Sequence, residues 1–243
     1  MDTRLIHTQN QGKAADDAVS EVDLDFSFSF YGIEYTSINV STNGNIQFNS
    51  SLISWVDEAL PAADMNNVID FYFVDLNPDL SWMQQAQTLG NIVGERVAVV
   101  RYVDAPVCPY GPAATHNDTA NDTTYIDSQP SVTCDVLLYE SDGTIEIRYY
   151  HIDATPWNVV IGLQSGLLAN GDYAFTSVVN HLPMNDSLPD ALINTTLIFI
   201  PRCLSTSKVI SSANGATSVQ GSAAAVVSIL FIILMATTSL FFL

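Results

Sequence analysis

The residues best able to do chemistry are few and badly spaced for it. The four histidines, His7, His116, His151 and His181, stand far apart, and no HExxH pair occurs. Gly162-Leu-Gln-Ser-Gly166 has its serine one place too late for a nucleophile elbow. Neither a P-loop nor a dinucleotide fingerprint is present. Acidic residues are abundant, but nothing singles out a pair for carboxylate hydrolysis. We therefore expect no enzyme and no cofactor, with a secreted hydrolase as the alternative.

Asp70, Asp75, Asn77 and Asp79 form the one acidic cluster with a hint of spacing. Asp-x-Asn-x-Asp resembles the start of a calcium loop. Pro78 stiffens it, and Leu80 and Ala86 stand where an EF-hand needs Gly and Glu. Asp75, Asn77 and Asp79 are thus at most a weak calcium contact; capping a strand and forming a turn explains them equally.

A second kind of chemistry is modification. Six Asn-x-Ser/Thr sequons occur, at Asn39, Asn49, Asn117, Asn121, Asn185 and Asn194, and their number points to the secretory pathway. Of the three cysteines, Cys108 and Cys134 flank a segment rich in Asn, Asp, Thr and Pro, and we expect a disulfide between them. Two free buried thiols are the alternative, and Cys203 is left over.

The end of the chain carries the clearest pattern. Residues 223–243, AAAVVSILFIILMATTSLFFL, contain no charge. As a helix they span ~31 Å, the thickness of a hydrocarbon core. Upstream lie small residues around Ser211 and Asn214 and then a polar spacer, the pattern of a GPI-attachment signal with either residue as the attachment point. A retained transmembrane helix is the other reading. The first residues, MDTRLIHTQNQGKAADDAVSEVD, lack the apolar core of a signal peptide. Taken with the sequons, this leads us to expect an upstream segment absent from this sequence.

Composition bounds the partners. The 243 residues include 26 acidic and 7 scattered basic ones, a net charge of −19. Neutralising phosphates takes clustered Lys and Arg, so nucleic acid is excluded. A hydrophobic fraction of 48% allows a sizeable core.

Strand signals at short intervals supply the frame. Leu24–Phe30 alternates strictly, and Tyr35–Ser41 leads through Asn43-Gly44 into Asn45–Phe48, a hairpin signal for a type I′ turn. Val68–Val74, Arg96–Val103, Val132–Tyr139, Thr144–Tyr150, Val159–Leu163, Tyr173–Val178 and Thr196–Ile200 complete about ten strands. Ser141-Asp-Gly143 turns a second hairpin, and Trp55, Trp82 and Trp157 fall near loops, where they plug the core or stack on sugars. We expect an all-β, antiparallel two-sheet β-sandwich over 23–204, a disordered 1–22, a polar stalk over 205–222 and a C-terminal hydrophobic helix over 223–243.

The order of motifs has a resemblance. Phe28-Ser-Phe-Tyr31-Gly32 with Asn43-Gly44-Asn45-Ile-Gln-Phe48 is similar to the opening of extracellular modules in plexin-domain-containing proteins and nidogen-type relatives. Phe71-Tyr-Phe-Val-Asp75-Leu-Asn77-Pro78, Arg96–Tyr102, Asp135–Tyr149, Val160-Ile-Gly162-Leu163 and Pro201-Arg-Cys203-Leu resemble their later strands in the same order. The resemblance implies an extracellular adhesion or matrix-binding module with no catalytic residues to carry over, and with the sequons and the apolar tail we expect it at the outer face of the plasma membrane. Its partner would be an extracellular protein or glycan. This chain departs from that pattern in the sequon-bearing insert at 109–133 and in lacking a following cysteine-rich module. A surface-coat structural glycoprotein is the rival within the same setting.

Overall fold

Alternation of apolar and polar side chains decides where this chain becomes strand, because successive residues of a strand face opposite sides. The computed structural model describes residues 6–8, 17–52, 58–76, 83–107, 131–152, 159–182, 192–203 and 227–235. Its strands are β1 Ile6–Thr8, β2 Val19–Phe30, β3 Ile33–Ser41, β4 Asn45–Gln47, β5 Val68–Phe73, β6 Met83–Leu89 and β7 Val97–Pro106. There follow β8 Ser131–Tyr139, β9 Ile145–Ile152, β10 Val159–Gln164, β11 Phe175–Leu182, β12 Thr195–Cys203 and β13 Val227–Met235. They build two antiparallel sheets, ordered β1-β6-β7-β8-β9-β12-β13 and β11-β10-β5-β4-β3-β2. The all-β two-sheet expectation therefore holds.

The core lies between the sheets. In β2 the run Val22, Leu24, Phe26, Phe28, Phe30 is buried while its neighbours Glu21, Asp23, Asp25 and Ser27 are exposed. Phe28 and Phe30 stack on Phe48 at centroid distances of 5.7 and 4.3 Å, and Phe71 meets Tyr102 at 4.8 Å. Each fully buried ring contributes roughly 1.5–3 kcal/mol of transfer free energy. Two tyrosine hydroxyls tie the sheets across the core. Tyr149 Oη donates to the Phe71 carbonyl, and Tyr102 Oη donates to the Ser41 carbonyl. Buried phenols need such partners, since an unpaired hydroxyl in the core is costly.

Four expectations need correction. Residues 1–22 are not uniformly disordered: Ile6–Thr8 pairs with β6, and Val19–Val22 pairs with Ser41–Ile38 of β3. The charges of Ser20-Glu-Val-Asp23 look like a solvated tail, yet they are the outward half of an alternating strand. The apolar tail is not helical over Val227–Met235. It pairs residue for residue with β12, from Thr195↔Met235 to Cys203↔Val227. Its Val, Ile and Phe residues suit a strand, and the outer edge of β12 would otherwise present unpaired N–H and C=O groups. No helix among the described residues is long and apolar enough to cross a membrane. Among the described residues the strands number thirteen rather than about ten, because β1, β6 and β13 join the ten expected ones.

The fourth correction concerns the turn at Asn43-Gly44. Only Gly44 has positive φ, +78°, so the hairpin is not a two-residue type I′ turn. The backbone of residues 43 and 44 instead receives hydrogen bonds from β5 and the residue after it, Tyr72 N to Gly44 O at 3.1 Å and Val74 N to Asn43 O at 3.3 Å. A Cβ on Gly44 would lie 2.1 Å from the Tyr72 carbonyl oxygen. Glycine is required there by approach as well as by φ.

Candidate functional site

The outer face of the six-stranded sheet is covered by its own chain. Leu60, Ala62 and Met65 lie on Val68, Phe73 and Val160, a second apolar cluster outside the main core. Side-chain amides hold this segment down by imitating a strand. Gln164 accepts from Ala62 N at 2.8 Å and donates to Ala62 O at 2.7 Å and to Met65 O. Asn180 does the same for Leu60, accepting its N–H at 2.6 Å and donating to its carbonyl at 2.8 Å. Gln47 accepts from Leu52 N at 2.7 Å and donates to Leu52 O at 2.8 Å. Each carboxamide thus satisfies a backbone N–H and C=O that lack a ladder partner.

Asp70 lies within this covered face, on β5. Its cross-strand neighbours are Asn45 on β4 and Gly162 on β10. It is fully buried, with no cation paired to either carboxylate oxygen among the described residues. Burial therefore pushes its pKa well above the usual carboxylate range, and Asn45 beside it offsets only part of that. Burial of this kind favours the protonated form of the acid. Asp75 is half-buried beyond the end of β5, while Asn77 and Asp79 lie outside the described residues. Among the described residues no group of three His, Cys, Asp or Glu could hold a metal ion.

The charged side chains are mostly tied to one another. Arg101 grips Asp135 with two bonds of 2.6 Å, and Tyr150 Oη adds a third to that carboxylate at 3.0 Å. Arg96 pairs with Glu140 at 2.5 Å, and Arg148 pairs with Glu146. Glu140 also accepts from Gly94 N at 2.8 Å, which fixes the β6–β7 turn against the β8–β9 turn. The Arg96 guanidinium holds the Glu140 carboxyl down at about 2. Gly143 closes the β8–β9 turn with φ +71°, donating to the Tyr139 carbonyl at 3.1 Å. These ion pairs leave no cluster of free cations among the described side chains.

The modification sites separate on exposure. Asn49 and Asn194 are exposed, Asn194 in a left-handed turn just before β12. Asn39 is half-buried and its amide nitrogen, the atom a glycan would use, donates to Ser50 O at 2.6 Å. Asn117, Asn121, Asn185, Ser211 and Asn214 fall outside the described residues, as do Trp55, Trp82 and Trp157. Cys134 is a free, fully buried thiol, and Cys108 lies outside the described residues.

The sequence reading missed Gln47, Gln164 and Asn180, whose only signal was polarity inside otherwise apolar strands. It also missed a set of exposed apolar residues at the hairpin tips, led by Val93, Ile92 and Ile33.

No curated protein and no solved structure matches the chain. A family model does, over residues 3–197, nearly the whole sandwich and its first strand. Its description, NIDO related, bears out the nidogen-type half of the resemblance; the plexin-domain half is not part of the match. The chain belongs to the NIDO-related family.

Proposed function

We propose that this chain is the non-catalytic binding module of a membrane-anchored extracellular glycoprotein, recognising an extracellular protein or a glycan. The observation that carries the reading is the family match across residues 3–197, which makes an extracellular adhesion or matrix-type module the natural setting. The exposed sequons at Asn49 and Asn194 suit that setting, as does the −19 charge, which keeps a secreted surface soluble. The apolar run 223–243 supplies the anchor, as a GPI signal or as a retained span. Anchoring requires β13 to leave β12, because the same residues cannot pair in the sheet and enter a bilayer.

The test is surface labelling of intact eukaryotic cells expressing the full chain, followed by phosphatidylinositol-specific phospholipase C. Labelling with release supports the GPI form, and labelling without release supports a span. A chain protected from the label until the cells are permeabilised would sink the reading.

A further inference from the structure

The strand that closes the edge of β12 is a near copy of β12 itself. β13 pairs with β12 residue for residue, from Cys203↔Val227 through Phe199↔Phe231 to Thr195↔Met235. Read from its start, β13 opens Val-Ser-Ile-Leu-Phe-Ile, and β12 opens Thr-Thr-Leu-Ile-Phe-Ile. These positions agree in kind: β-branched, hydroxyl, branched aliphatic twice, phenylalanine, isoleucine. The remaining Ile-Leu-Met of β13 and Pro-Arg-Cys of β12 do not agree.

The register gives that likeness a consequence. Phe199 stands at the centre of the paired segment, opposite Phe231. Consider a second β12 laid antiparallel in place of β13, on a two-fold axis through Phe199. Its Thr195 takes the place of Val227, its Ile198 that of Leu230, its Phe199 that of Phe231 and its Ile200 that of Ile232. Phenylalanine then stands opposite phenylalanine, and branched aliphatics stand opposite Ile198 and Ile200, as β13 already places them. Cross-strand pairs of this kind are the unit of sheet stabilisation, and a shared two-fold axis makes the contact self-complementary.

The edge is also unguarded. Edges that stay single commonly carry charges, but Thr195–Cys203 has no acidic residue and one basic one, Arg202 near its end. β13 pairs straight through Pro201, so the missing N–H there does not turn a strand away. Leu197 and Phe199 are buried in the core while Ile198 and Ile200 are half-buried, so a partner strand extends the sheet and leaves the core as it is.

We propose that, once β13 is withdrawn, β12 pairs with β12 of a second copy and joins two sandwiches through one continuous sheet. The proposal rests on the anchoring reading above, since either form of anchor takes β13 off the edge. β13 acts as an internal substitute for the second copy and keeps the unanchored chain single.

The test co-expresses two full-length variants, Ile198→Cys and Ile200→Cys, in eukaryotic cells and oxidises the isolated membranes. On the two-fold axis residue 198 of one copy lies directly opposite residue 200 of the other, with Cα atoms about 4.5–5.5 Å apart, within disulfide reach. A band at twice the monomer mass should appear on a non-reducing gel from the pair and be lost when either variant is expressed alone. The single variants also report anything the native cysteines form. A membrane-bound chain whose pair gives no more doubled band than the single variants would overturn the β12 contact and leave anchoring standing. A chain absent from the membranes would overturn both. A doubled band from Ile198→Cys with Ile232→Cys instead would mean that β13 is exchanged between copies, and would overturn pairing of β12 with β12.

Discussion

Replacing Asp70 by Asn should change how stability depends on pH. In the folded state the carboxyl is fully buried without an ion-pair partner, and burial raises its pKa further than Asn45 lowers it. The unfolded chain releases that proton near pH 4, while the folded chain holds it to higher pH. The folded state therefore binds more protons, and stability falls as pH rises from the unfolded pKa toward the folded one. The slope from this one group is at most about 1.4 kcal/mol per pH unit. Asn has nearly the same shape and no proton to lose, so it removes the slope. Wild type and Asp70→Asn should be about equally stable near pH 4, with the variant gaining steadily above it. In a domain of this size each kcal/mol moves Tm by about 2–4 °C. Thermal melts from pH 4 to pH 8 read the difference directly. Parallel profiles, or a variant less stable at every pH, would show that Asp70 is ionised and paired in the fold.

Three further outcomes follow from the same geometry. Gly44→Ala should cost at least about 1–3 kcal/mol in a denaturation curve, since its Cβ meets the Tyr72 carbonyl and no side chain can move aside; an unchanged midpoint contradicts the close approach. Glu140, held at about 2 by Arg96, contributes stability above pH 4.5 that is lost as pH falls through about 2; acid titration of Glu140→Gln should lack that phase. The Cys134 thiol, pushed up by burial, should stay silent to a thiol reagent until the protein unfolds. Cys134→Ser should then cost about 1–3 kcal/mol, and a Cys108–Cys134 bridge in a non-reduced peptide map would contradict the packing.

Much of the fold was legible because period-2 burial leaves a period-2 sequence. Leu24–Phe30 and Thr144–Tyr150 are found from alternation alone. β6 was not, because of Gln84–Leu89 only Ala86 is buried, so no alternating signal exists to detect. The tail was misjudged over Val227–Met235 because apolar length cannot tell a span from a strand; what decides it is the open edge of β12, which the sequence does not display. Gly44 and Gly143 were legible as turn residues, but the contact of Gly44 with Tyr72 was not. Asp70 was visible only as one member of an acidic cluster. Its lack of an ion-pair partner belongs to β4 and β10 as much as to β5. The apolar end was invisible for the same reason: residues 33 and 89–93 meet only through register and the Gly143–Ser29 contact.

The central claim is that a NIDO-related sandwich stands outside the cell as a glycoprotein. The most direct measurement is the gel mobility of the full chain, made in a eukaryotic cell, before and after peptide N-glycosidase. The account predicts a downward shift, with Asn49→Gln and Asn194→Gln each removing part of it, since both asparagines are exposed. Identical mobility before and after treatment would place the chain on the other side of the membrane and contradict the account.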